Sequence, residues 1–174
     1  MTREQTILRP LERLVAISGR AVAWLLLPLM AIIIFDVVGR RFFNVGSVAL
    51  QEMEWHLHAC ICLIALSYAY QTDDHVRIDI FHERFSVPTR LWIELVGCIV
   101  FLLPYAAVVA YFGYRFWLRS WDVGETSSAP GGLPARWIIK LVLPLGFLLL
   151  ILQAVSTIGR TLMRLRSTGS GGTA

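Results

Sequence analysis

The chain has 174 residues, 56% of them hydrophobic, with sixteen lysines and arginines against twelve acidic residues and a net charge of +4. Four runs each reach the about 20 residues that cross a bilayer as a helix, which leaves no length for a separate soluble domain. A basic excess beside such runs marks membrane topology and argues against nucleic-acid binding.

The amino end opens with Ile7, Leu8, Leu11, Leu14 and Val15 at helical spacing, with Arg9, Glu12 and Arg13 between them. That pattern predicts a short helix lying on the membrane surface, with Pro10 tolerated near its start. The first span follows over about 15–38. Its outline resembles a signal peptide, but the run is too long and Asp36-Val37-Val38-Gly39-Arg40 is no small-residue cleavage pattern. It reads as a retained span.

The second span, about 52–70, opens on a charged cluster. Asp36 and Arg40, Glu52 and His56, and Glu54 and His58 are each four apart, the spacing at which helical side chains meet. Glu52 and Glu54 are two apart and point to different faces, so one is placed to meet Arg40 or Arg41 while the other faces a neighbouring protein. The plainer alternative is a salt-bridge network that only anchors helix ends. His56 and His58 also diverge, which argues against haem held between facing helices. Three cysteines lie inside spans; Cys60 and Cys62 diverge in the same way and read as packing residues rather than a disulfide or zinc site.

The connection from Gln71 to Arg90 contains His75-Val76-Arg77-Ile78-Asp79. Asp79 is placed to cap a second short surface helix, with Ile80, Phe81 and Phe85 toward lipid and Glu83 and Arg84 toward water. Asp73, Asp74, His75 and Asp79 would gather around a metal only if this loop folded tightly. Ser86 with Pro88 opens the third span, about 91–114, and the fourth covers about 137–157. Pro28, Pro104 and Pro144 are expected to bend three spans. Residues 1–166 thus form one membrane domain, and the Ser, Thr and Gly tail, 167–174, reads as disordered. The expected fold is all-α: an integral membrane four-helix bundle with short interfacial helices at the amino terminus and in the second connection.

Charge is confined to the span ends, where Arg20, Asp36, Glu52, Glu54 and Glu94 lie, and no polar stripe runs along any span. Transporters and channels that work alone place ionisable groups or unwound helices near the bilayer midplane. No nucleophile with an adjacent base, glycine-rich phosphate loop or zinc motif is present, so no enzyme activity, cofactor or metal is expected. With both termini cytoplasmic, the inner side carries Arg3, Arg9, Arg13, Arg20, Arg77, Arg84, Arg90, Arg160, Arg164 and Arg166. The outer side carries Arg40, Arg41, Arg115, Arg119, Arg136 and Lys140. The bias favours that orientation.

Arg40-Arg41-Phe42-Phe43-Asn44 after the first span is followed by Ser47, by Glu52 to Trp55 opening the second span, and by Ser67-Tyr68-Ala69-Tyr70 closing it. Together with His75-Val76-Arg77-Ile78-Asp79 in the inner loop, this order resembles the small membrane subunit (DctQ family) of tripartite ATP-independent periplasmic, or TRAP, transporters. The segment from Glu125 to Pro134, with Lys140 and Gln153, is similar to one subgroup of that family. The resemblance implies a scaffold subunit in the bacterial inner membrane that supports a large elevator subunit. That large subunit imports an organic anion, commonly a carboxylate, delivered by a periplasmic binding protein. Sodium ions are expected in the large subunit and no cofactor in this one. Carried over residue by residue, the resemblance makes Arg40, Ser47 and Glu54 an outer clasp and His75, Arg77 and Asp79 an inner-loop brace, with Glu52 competing for the acidic position. Two other classes stay open: a self-assembling channel or exporter, and a membrane cytochrome b subunit.

Overall fold

The structure is a computed structural model that describes residues 3–72 and 86–170, and no strand occurs among the described residues. Its helices are α1 (Arg3–Ala23), α2 (Leu26–Phe43), α3 (Val48–Thr72), α4 (Val87–Val96), α5 (Leu103–Asp122) and α6 (Trp137–Ser170), with a π-helical turn, Gly97–Leu102, joining α4 to α5.

Two of the joints between elements have prolines as their cause. Pro28 has no N–H to offer the carbonyl of Trp24, and its ring would clash there. The Leu27 N–H takes that carbonyl instead at 3.3 Å, and the Leu25 N–H reaches Val22 at 3.0 Å, so the chain turns at Trp24 and Leu25. The predicted surface helix and the first half of the predicted first span are therefore one element, α1, and the break comes later than the pattern alone implies. Pro104 follows the π-helical turn, in which the Leu103 N–H bonds to Cys98, five residues back. The wider turn makes room for the proline ring. Pro144 leaves α6 continuous.

The connection from α2 to α3 is short and fully specified. Asn44 takes a left-handed conformation (φ 50°) and the Val45 N–H bonds to Gly39 at 3.1 Å, closing α2 in a Schellman turn that asparagine tolerates better than most residues. Ser47 then caps α3, its hydroxyl oxygen accepting the Leu50 N–H at 3.4 Å.

In space α3 packs against α1, α2 and α6, while α6 packs against α1, α3, α4 and α5. The two central helices approach closely at Gly146, where a Cβ would lie 2.6 Å from the carbonyl oxygen of Leu63. The core lies beside this contact: Ala106, Phe147 and Leu150 are buried, and Leu63, Leu66, Leu102 and Leu143 pack around them. Tyr70 ties α3 to the π-helical turn through its hydroxyl, 2.8 Å from Cys98 Sγ.

Outside this core the apolar side chains face outward. Leu27, Ile34, Phe35, Phe101, Val108 and Phe112 are all more than half exposed, the arrangement of a protein whose surroundings are lipid. Among the described residues, three stretches are long and apolar enough to cross a membrane: Leu8–Phe43, Pro88–Asp122 and Trp137–Arg166. The predicted second span is helical as α3 and has the length, with 25 residues. Its composition falls short, because Glu52, Glu54, His56 and His58 crowd its first half. α3 is also flanked by three other helices, α1, α2 and α6. The predicted surface helix around Asp79 lies outside the described residues, and α6 runs on to Ser170, into the predicted tail.

Candidate functional site

The polar side chains gather at the two ends of the helices. At the loop end, the α2–α3 connection meets the segment between α5 and α6. Glu52 is buried there, and its carboxylate does two things. Oε2 accepts the Leu133 N–H at 2.7 Å, and Oε1 accepts the Ser127 hydroxyl. Ser127 is itself locked in place, its N–H bonding to the Leu133 carbonyl at 3.1 Å and its oxygen accepting the Ala129 N–H at 3.2 Å. Gly132 sits against the pair, and a Cβ there would lie 2.9 Å from Glu52 Oε2.

Glu125 closes the base of the same segment. Oε2 accepts the Ser120 hydroxyl at 2.6 Å and the Lys140 ammonium, while the Arg136 N–H reaches the Glu125 carbonyl at 2.9 Å. The hydrogen bonds from Lys140 and then Ser120 hold the Glu125 carboxyl below its ordinary value of 4.5, with the positive charges of Lys140 and Arg136 adding to the effect. Lys140 also stands 4.0 Å from the centre of the Phe116 ring. Beside it Trp117, Trp121 and Trp137 meet in series, the last two edge to face with 4.3 Å between ring centres. The segment from 123 to 136 is thus pinned at both its base and its tip.

The predicted outer clasp is divided differently from the expectation. Arg40 pairs with Asp36 on its own helix at 2.8 Å, where Asp36 is 7% exposed, and meets neither glutamate. Ser47 is the cap of α3. Glu52 joins the chain to a segment 75 to 81 residues away. Glu54 has a buried Oε1 with no partner among the described residues, as has Asp36 Oδ1. His75, Arg77 and Asp79 of the predicted inner brace lie outside the described residues.

At the opposite end, where α1 starts and α6 finishes, Glu12 occupies the junction. Its Oε1 accepts the Ser156 hydroxyl at 2.8 Å and the Arg160 Nε at 3.1 Å, and its carbonyl accepts the Gln71 side-chain amide at 2.9 Å. Three helices meet on this one residue. Ser156 belongs to a row on α6 that the sequence reading missed: Gln153, Ser156, Thr157 and Thr161 are all buried. Gln153 donates to Thr157 at 3.4 Å, and Thr161 stands 3.5 Å from Glu94 Oε2. The expectation that no span carries a polar stripe is therefore corrected. The signal was present as polar residues at 153, 156, 157 and 161, a helical spacing inside an otherwise apolar run.

His56 and His58 turn to their own helix, His56 to the Glu52 carbonyl and His58 Nε2 to Cys62 Sγ at 3.5 Å. Among the described residues no three His, Cys, Asp or Glu side chains converge as a metal site. What the arrangement does chemically is hold helices and a loop together.

A family model described as "Tripartite ATP-independent periplasmic transporters, DctQ component" matches residues 29–164. The chain belongs to this family. A curated relative, the C4-dicarboxylate TRAP transporter small permease protein DctQ of Pseudomonas aeruginosa, is 25% identical over 130 residues. The alignment takes in 70% of this chain, and the chain spans about 60% of that protein's length. The DctQ match starts just past Pro28 and contains the whole loop-end arrangement of Glu52, Ser127 and Glu125. Nearly all of the broken first stretch up to the turn, including α1 with Glu12, precedes it.

Proposed function

We propose that the chain is the small permease subunit of a TRAP transporter, a four-span scaffold in the bacterial inner membrane with both termini cytoplasmic. In this reading α3 is the second span, sheltered by its neighbours, and the loop end is periplasmic. The subunit braces a large elevator subunit that carries an organic anion and its coupling sodium ions, and the pinned segment from 123 to 136 helps to dock a periplasmic binding protein. The relative's C4-dicarboxylate makes a carboxylate the solute class to test first.

The observation that carries the reading is where the polar groups point. Glu52, Glu125, Glu12 and the α6 row are spent on contacts within the subunit, while its apolar perimeter is left open. A self-assembling channel would need the α6 row to face a neighbouring copy, yet Gln153 and Ser156 are fully buried. A cytochrome would need histidines on facing helices, and His56 and His58 share α3.

The chain is expected to co-purify in mild detergent with a much larger polytopic protein. Vesicles holding this chain alone are expected to take up no solute, and vesicles holding both proteins with the binding protein and a sodium gradient are expected to accumulate a carboxylate. Uptake by the chain alone would overturn the scaffold role.

A further inference from the structure

We propose that the outward face of α5 near its carboxyl end binds an anionic phospholipid, with Arg115 and Arg119 on the phosphate and an acyl chain in the apolar groove beside them. The two arginines are four apart, so they stand one above the other on the helix. Both are exposed, and neither side chain makes an ion pair or hydrogen bond among the described residues. Asp122 lies within a turn of Arg119 without pairing to it, and the nearby Lys140 and Glu125 are spent on each other. Unopposed like charges at this spacing repel. An anion between them removes that cost, and guanidinium forks match the oxygens of a phosphate.

Three features of α5 and its surroundings set the depth. Residues 95–114 carry no charge and, as a helix, are about as long as the hydrocarbon is thick, so Arg115 is the first charge to leave it. Trp117, Trp121 and Trp137 lie at the same level, the headgroup boundary that indole rings favour. α5 ends at Asp122, and the non-helical backbone that follows belongs in water.

The grooves select a lipid over a free anion. Arg115 and Arg119 line a cleft of about 320 Å³ with Tyr111, Phe112 and Phe116. A second cleft of about 310 Å³ shares Phe112 and Phe116 and runs a turn deeper, along Val108, Val109, Gly113 and Leu143, with no charged residue in its wall. A place for a phosphate thus adjoins a place for a chain. The face also suits lipid better than a partner helix, because membrane helices dock through small residues. Ala106 and Gly113 are buried against α6, whereas Tyr105, Val108, Tyr111 and Phe112 point outward, each more than half exposed. The inference rests on the membrane-spanning reading of α5 but not on which transporter the subunit serves.

The test uses the full chain as it leaves the membrane in detergent, with any partner it retains. Phosphatidylglycerol, phosphatidylcholine and inorganic phosphate are added in separate arms, and bound lipid is read by native mass spectrometry with the melting temperature alongside. Solute uptake is not read, so the result stands apart from the scaffold role. Phosphatidylglycerol is expected to bind about tenfold more tightly than phosphatidylcholine, and inorganic phosphate at the same concentration to give no stabilisation. Arg115→Gln with Arg119→Gln is expected to cost about tenfold in phosphatidylglycerol affinity and to leave phosphatidylcholine unchanged. Arg119→Gln alone is expected to cost about threefold and serves if the double variant does not fold. Arg41→Gln, which removes a charge from the same end of the molecule but from α2, is expected to change neither lipid. Val108→Trp, which fills the deeper groove, is expected to weaken both. Equal binding of the two lipids, undiminished phosphatidylglycerol binding in the α5 variants, an equal loss in Arg41→Gln, or equal stabilisation by inorganic phosphate would each overturn the proposal. So would loss of a protein partner from the arginine variants with lipid binding intact, which would give the face to that partner.

Discussion

Glu52 and Glu54 are two residues apart and chemically identical, yet they face different fates. Glu52 accepts from Ser127 and Leu133, and removing it strands a hydroxyl and a backbone N–H in a buried place. Ser127→Ala, which takes away one donor, is expected to destabilise the purified chain by about 1 kcal/mol. Glu52→Ala should lower the melting temperature further and expose the segment from 123 to 136 to protease. Glu54→Ala should leave both readouts unchanged, because Glu54 Oε1 has no hydrogen-bond partner among the described residues, and on the scaffold reading it should instead reduce the yield of the complex. If Glu54→Ala unfolded the chain and Glu52→Ala did not, the division of labour would be reversed. The Asp36–Arg40 pair could be read from spacing alone, since both ends lie on one helix turn. Glu52's partners could not: they lie 75 and 81 residues on, and one of them is a backbone amide that no side-chain pattern announces.

At the scale of elements, the three prolines show why helix boundaries were only partly legible. Each removes the same hydrogen bond, but the outcomes are a turn at Pro28, a π-helical turn before Pro104 and an unbroken helix at Pro144. The difference follows the company each helix keeps. α6 is held by four neighbours, whereas among the described residues α2 packs mainly on α3 and yields where its ladder is cut. The α5–α6 connection has a different weak point, the Glu125 carboxylate. Its folded value lies below the ordinary 4.5, so its contribution is complete above that value and is lost as pH falls through the folded one. The connection is expected to stay closed from neutral pH down to about 4.5 and to open below it. Fluorescence of the Trp121 and Trp137 pair would report the opening, and Glu125→Gln should abolish the acid step. An acid step that survives Glu125→Gln would assign it to another group.

For the molecule as a whole, the all-helical character and the apolar perimeter were legible from composition, because membrane-length runs admit few alternatives. The polar row on α6 was not, since Gln153 and Thr157 in isolation look like tolerated exceptions and only the packing of neighbouring helices makes them a buried seam. The α3–α6 contact is the structural axis, and it depends on the missing side chain of Gly146. Gly146→Val is expected to force the two helices apart at Leu63 and to cost about 1–3 kcal/mol, read as a lower melting temperature and a lower yield of purified chain. An unchanged melting temperature would show that the contact is not close in the folded protein.

The central place of α3 also bears on how the chain is made. On the four-span reading the segment least suited to hydrocarbon leaves the ribosome before α6, its largest cover, has been synthesised. Until then α1 and α2 are its only shelter. The sharp Asn44 turn and the Ser47 cap place α3 against α2 at once, so a nascent hairpin carries the acidic helix into the bilayer while the remainder of its housing is still being built.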